Sequence, residues 1–331
     1  MPYSIDASQL AGCAVLVTGG RGFLGGHIVR QLVEARAEVT VVTRRDGRGG
    51  PLGGMPDQVH VVRSDIRSLQ IERLPRSQRP RIVLHLASAG TDASAGFDDE
   101  GASVNLLGTL QALRVARSWG ADRFVHAGSG FEYGSGEYLP ETAQLAPVGA
   151  YAASKAAGSL AVQAIARQSG FPAVVLRPFT LYGPGEVGAL LVSRVTAALL
   201  RGEAIQLTSG EQRRDLVYVE DAAEAFLAAG TAAMPPGDTT NVCTGIAVSI
   251  RSIAEHIGRS LEREDLLIFG AQQASSRELP CNSGDPRKAG DVLGWCARTS
   301  LERGLARTLA WWRATSQADI LQSDALPPRT D

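Results

Sequence analysis

The sequence carries almost no net charge: 33 basic and 34 acidic side chains leave −1 at pH 7. Without an overall basic field it is not suited to hold nucleic acid, and no sustained basic amphipathic stretch suits it to a membrane surface. No window reaches 18 uninterrupted apolar residues, and Met1 to Gly12 lacks the basic start and apolar core of an export signal. Cys13, Cys243, Cys281 and Cys296 show neither Cys-x-x-Cys spacing nor paired histidines, so neither a metal site nor a disulfide frame is expected, only reduced thiols used in packing. Internal repeats and low-complexity tracts are also missing. These absences predict a cytoplasmic protein whose partners are small molecules, and 331 residues at 44% apolar content can bury a sizeable core.

The most informative stretch runs from Ala14 to Gln31. Ala14-Val15-Leu16-Val17 reads as a buried strand, the glycine cluster Gly19-Gly20-Arg21-Gly22-Phe23-Leu24-Gly25 as a turn, and Leu24, Ile28 and Leu32 as a helix face. Glycines at such a junction let the backbone turn sharply and approach a pyrophosphate, whose charge is met by the free N–H groups of the helix start. The spacing fits Gly-x-x-Gly-x-x-Gly through Gly19, Gly22 and Gly25, and also Gly-x-Gly-x-x-Gly from Gly20, so the register of single glycines stays open. Gly19, Gly22, Phe23, Leu24 and Gly25 are the first cofactor-binding candidates.

A second strand, Val39-Thr40-Val41-Val42, leads to Arg44 and Arg45. A carboxylate at that place accepts the ribose hydroxyls of NAD, whereas arginine accommodates the 2′-phosphate of NADP. NADP(H) is therefore the expected cofactor, with NAD(H) as the alternative. Further strands follow at Val59–Val62, at Ile82–Ala87, whose small end suits the close approach of a flat ring near Leu86, Ala87 and Ser88, at Arg123–Ala127 and at Ala173–Pro178. Strands alternating with helices and without hairpin signals predict an α/β fold with a doubly wound parallel sheet. A dinucleotide-binding domain over 1–176, with parts of 215–245 returning to it, and a smaller mixed substrate domain over 177–331 complete the expected organisation.

Tyr151 and Lys155 stand four apart at a helix start and so share one face. A phenol is a poor acid or base at neutral pH, and a neighbouring ammonium is expected to draw its pKa down. Ser129, just past a strand end, is placed to hydrogen bond the same substrate oxygen.

In this order the glycine turn, Ser129 and Tyr151-x-x-x-Lys155 resemble the extended short-chain dehydrogenase/reductase family over nearly the whole chain. The stretches Arg177 to Gly185, Arg214 to Asp221 and Gly284 to Trp295 are similar to its nucleotide-sugar branch. The resemblance implies a Rossmann fold, a homodimer, and Ser129, Tyr151 and Lys155 as catalytic residues. It further implies Asp65 and Ile66 beside the adenine, and Arg214 and Arg277 facing a sugar-nucleotide diphosphate. Thr180 stands where many members carry Asn. Dehydratases of the family place an Asp-Glu pair directly after the active Ser or Thr; here Gly130 and Phe131 hold those places. Glu132, one residue on, is kept among the substrate-binding candidates, although an extended backbone would turn it away to serve structure or orientation. The expected reaction is the NADPH-dependent reduction of the C4 ketone of a nucleotide-linked 4-keto-6-deoxyhexose. A nucleotide-sugar 4-epimerase with tightly bound NAD is the alternative. A cofactor-binding protein without chemistry would be expected to lack the tyrosine or the lysine, and this chain keeps both.

Overall fold

Residues 7–44, 56–70, 80–90, 99–188, 190–275 and 278–315 are described by a computed structural model. Its centre is a parallel sheet built from short apolar runs: β1 (Ala14–Thr18), β2 (Glu38–Thr43), β3 (His60–Arg63), β4 (Ile82–His85) and β5 (Arg123–Ala127). The chain then leaves to form β6 (Gly136–Leu139) and comes back as β7 (Ala173–Pro178). After β8 (Thr180–Tyr182), β9 (Ile205–Leu207) and β10 (Arg213–Tyr218), a last strand, β11 (Thr239–Val242), rejoins the large sheet. The spatial order is β11-β7-β5-β4-β1-β2-β3, so the winding reverses between β1 and β4. In an open parallel sheet that reversal leaves a crevice beyond the carboxyl ends of the strands, where ligands bind.

The strands are nearly all apolar because helices cover both faces of the sheet. Val17, Val41, Phe124, Val125, Val174 and Val175 are fully buried, each contributing about 1.5–3 kcal/mol of burial free energy. The covering helices are α1 (Phe23–Glu34), α2 (Asp99–Ser103), α3 (Thr109–Trp119), α4 (Ala150–Ser169) and α6 (Val219–Thr231), whereas α5 (Leu191–Leu200) packs on β9, away from this sheet. Between α2 and α3 the chain widens into a π turn, Val104–Gly108.

A second sheet, β12-β10-β14-β6 with β8 beside β10, uses β12 (Ala247–Ser249) and β14 (Cys281–Gly284), and β13 (Leu267–Phe269) pairs with β9. Helices α7 (Ile250–Leu261), α8 (Arg287–Leu293) and α9 (Leu301–Ala314) pack on this side. The polar stretch after Gly134 thus contributes strand β6 to this sheet. Among the described residues no helix is long and apolar enough to cross a membrane.

Candidate active site

The glycine turn follows β1, and its geometry resolves the register. Gly19 has φ +72°, and a Cβ there would lie 2.8 Å from the Ala87 backbone nitrogen, so only glycine lets the turn touch the end of β4. At Gly25 a Cβ would lie 2.2 Å from the Gly19 carbonyl oxygen, which presses the first turn of α1 onto the loop. Gly22 is the N-cap of α1, with no side-chain cap and no acidic residue in the first helical turn. Its side chain contributes nothing to the helix N–H groups, which keeps them fit for an anionic phosphate. Thr18 Oγ1 accepts from the backbone N–H groups of Leu86 and Ala87 (both 3.2 Å), holding these two candidates against the turn.

At the outer edge, Arg44, Arg63, Ser64 and Asp65 line a cleft of about 320 Å³. Arg44 pairs with Glu100 at 2.7 Å. Asp65 caps the short turn at Ile66–Ser68 and grips Arg67 at 2.6 Å, which holds its carboxyl below the usual range. Ile66 is buried, closing on Gly108 of the π turn. Arg45 and Arg277, both expected at ligands, lie outside the described residues.

Tyr151, Ser129 and Ser88 come together, the two serine side chains near enough to the phenol to draw its pKa down. Lys155, on the same face of α4, donates from Nζ to the carbonyl of Ala127 at the end of β5. The expected downward pull of Lys155 on Tyr151 is not what governs the phenol. Burial pushes the Tyr151 pKa up, the hydroxyls of Ser88 and Ser129 partly offset that, and the ammonium is bonded to a backbone carbonyl. Burial lowers Lys155 itself to about 8, with Glu132 opposing.

Glu132 is corrected outright. It is 0% exposed and spends both oxygens inside the protein, so it does not face a substrate. Oε1 accepts from the Ser129 N–H (2.8 Å) and from Ser159 Oγ (2.7 Å), and Oε2 accepts from Arg177 Nε (2.8 Å). Removing one partner of such a buried ion pair strands the other charge, at about 3–5 kcal/mol. Arg177 also donates to the Tyr133 hydroxyl, which donates in turn to Asn241 of β11.

Asn105, in the π turn, exchanges hydrogen bonds with the backbone of Ala89 and donates to Ser154 Oγ (2.9 Å), stapling the end of β4 to α4. Asn105, Ser154, Ser159 and Arg177 were not among the sequence candidates; only their long-range contacts reveal them.

On the other side of the crevice Thr180 opens β8, its hydroxyl buried and without a hydrogen-bond partner among the described residues. Arg214 on β10 is 9% exposed. Its Nη1 donates to the carbonyls of Leu279 (2.7 Å) and Arg213 (2.9 Å). Burial lowers its pKa, with Glu278 opposing. His27 on α1 bridges the two sides, its Nε2 2.8 Å from the carbonyl oxygen of Pro184.

The chain is similar to known proteins over most of its length. The model of the NAD dependent epimerase/dehydratase family matches residues 15–243. A UDP-glucose 4-epimerase of Mycolicibacterium smegmatis is 30% identical over 316 residues, spanning 91% of this chain and 99% of that protein. A dTDP-glucose 4,6-dehydratase of Neisseria meningitidis serogroup B is 27% identical over 330 residues, spanning 90% and 92%. Among solved structures, MoeE5 in complex with UDP-glucuronic acid and NAD superposes with a TM-score of 0.82 at 29% identity, covering 91% of this chain and 99% of that one.

Proposed function

Because the chain belongs to the NAD dependent epimerase/dehydratase family, we propose that it transfers hydride at C4 of a nucleotide-linked hexose and does not dehydrate it. The carrying observation is the closed turn after Ser129. A Cβ on Gly130 would lie 2.8 Å from the Phe179 ring, so the place where a dehydratase acid would begin cannot take a side chain. The direction favoured is reduction of a 4-keto-6-deoxyhexose with NADPH, because Arg44 and Arg63 line the cleft beyond β2 and β3 and suit a 2′-phosphate.

The glycine turn and the uncapped start of α1 fit a dinucleotide: Gly19, Gly22 and Gly25 would hold its pyrophosphate, Asp65 and Ile66 its adenine, and Leu86, Ala87 and Ser88 would complete its site. When bound, the reduced nicotinamide supplies hydride to the C4 carbonyl carbon. Tyr151 gives its proton to the C4 oxygen; the phenol is protonated at neutral pH, and Ser88 and Ser129 work against the burial that raises its pKa. Ser129 and Ser88 orient that oxygen and stabilise the phenolate left behind. Lys155 holds the nicotinamide ribose and offsets the negative charge. Thr180 and Arg214 receive the sugar and its diphosphate, Arg214 as a buried cation. The protein acts as a homodimer through the stretch Ser103–Trp119 and through α4, where Leu107 of the π turn and Leu160 are 54% and 52% exposed.

A second reading, a 4-epimerase with retained NAD, is favoured by the epimerase relative and by the NAD bound to MoeE5. The two separate cleanly. Purified protein mixed with NADPH and a panel of 4-keto sugar nucleotides should consume NADPH. Epimerisation of a 4-hydroxy sugar nucleotide without added cofactor, and no NADPH consumption, would instead establish the epimerase.

A further inference from the structure

We infer that Glu132 is a positioning residue that locks Ser129 to the Tyr151–Lys155 face of α4, an inference that rests on the roles proposed above for those three residues. Ser129 and Glu132 form a reciprocal cap on a single turn: the Ser129 N–H donates to Glu132 Oε1, while Ser129 Oγ accepts from the Phe131 N–H at 3.2 Å. The same Oε1 accepts from Ser159, four residues beyond Lys155 and eight beyond Tyr151, hence on the same helix face. One carboxylate oxygen thus joins the loop that carries Ser129 to the helix that carries the other two residues.

The second oxygen fixes Glu132 from behind. Arg177 holds Oε2 and stands at the end of β7, one residue before Pro178. Gly128 closes the space above: a Cβ there would lie 2.6 Å from Glu132 Oε1 and 2.9 Å from Ser159 Oγ. The carboxylate is 0% exposed and is held on both oxygens, so releasing it breaks its bonds to the Ser129 loop, to α4 and to β7 together.

The charge matters as well as the hydrogen bonds. The groups facing Lys155 are Glu132 from the turn, His85 on β4, His126 on β5 and Tyr151 on its own helix, with Arg177 acting on His126 from β7. Burial holds both histidines neutral, His85 down at about 3. Glu132 is therefore the anion that opposes the desolvation of the ammonium.

Glu132→Gln keeps the size and one acceptor while removing the charge. Lys155 and Lys288 are the only lysines in the sequence, so the Lys155 titration can be followed by NMR of the side-chain nitrogen in cofactor-free protein, with Lys288→Arg for assignment. The expected result is a Lys155 midpoint lower by about one pH unit. With it, kcat should fall at least about tenfold while KM for the nucleotide sugar changes little, since misplacing a reacting group is felt in the chemical step. A folded Glu132→Gln protein with an unmoved Lys155 midpoint and wild-type kcat overturns the inference. If Glu132→Gln does not fold, Ser159→Ala decides: a several-fold loss in kcat at unchanged KM and thermal midpoint supports it, and wild-type kcat overturns it. If the wild-type protein turns over no nucleotide sugar, the proposed function fails, and the Lys155 midpoint alone judges Glu132.

Discussion

Gly130→Ala is the sharpest perturbation this fold offers, because a single methyl group enters a space already filled from two sides. The new Cβ would meet three Phe179 ring atoms at 2.8, 2.9 and 3.0 Å. The ring is closely bounded: the Gly284 backbone packs on its far edge so tightly that a Cβ there would lie 2.5 Å from it, and Tyr133 stacks on it at 6.3 Å. The turn is held as well, because the Gly130 carbonyl accepts from buried Asn282 at 3.0 Å. Overpacking a closed core costs about 1–3 kcal/mol, and with both partners pinned we expect about 3. At about 2.1 cal/mol/K of unfolding entropy per residue, that lowers the thermal midpoint of a chain this size by about 4 °C. Scanning calorimetry or urea unfolding reads the loss. Phe179→Leu in the same background should recover more than about 1 kcal/mol in a double-mutant cycle, because the two sites share one volume. A Gly130→Ala protein with wild-type midpoint and activity would refute the reasoning, for it would mean that the turn has room for a side chain. The exclusion of a dehydratase acid on steric grounds would fall with it.

Lys155, lowered to about 8 by burial, should place an alkaline break in kcat/KM near that pH. The ammonium is the working form, so activity is full below the break and lost above it, and Lys155→Arg should remove the break from a pH–rate profile. The same shift costs the fold its full penalty below pH 8 and relieves it as pH rises toward the ordinary 10.5, so stability from this group increases across that window. Arg44→Ala should raise KM for NADPH about tenfold and leave NADH unaffected. Glu100→Gln, which frees Arg44 from an exposed pair of little stability value, should lower it; equal effects on both cofactors would remove Arg44 from phosphate recognition. Leu160→Glu, at a 52% exposed position of α4, should yield a monomer by light scattering at micromolar concentration.

What could be read from the chain alone was whatever depends on neighbours in sequence. The turn between β1 and α1 is strand, glycine and helix within a dozen residues, and Tyr151 and Lys155 share a face by helical period alone. The strands of the large sheet stood out because burial on both faces makes them continuous apolar runs, up to β11, where Thr239-Thr240-Asn241 is polar yet buried. Partners far along the chain were illegible. Glu132 reads as an ordinary acid until Arg177, 45 residues on, and Ser159, 27 residues on, close around it. Asn105 reads as a weak helix former until the π turn aims it at Ala89 and Ser154. The register of the glycines followed from clashes with Ala87 and Gly19 rather than from spacing. Strands β6 and β14 went unseen because Gly136–Leu139 and Cys281–Gly284 carry no apolar run and take their pairing from partners far along the chain.

The late return of β11 beside β7 has a consequence for any attempt to divide the gene. A fragment ending near Pro178 would contain every strand of the large sheet but one, yet β7 would become its border. Val174, Val175 and Leu176, wholly sheltered in the intact chain, would then offer bare amide and carbonyl groups on a flat, greasy rim that invites the same rim of a second molecule. Such a half-protein should sediment in inclusion bodies, and a separately expressed remainder would have to supply Thr239–Val242 to rescue it.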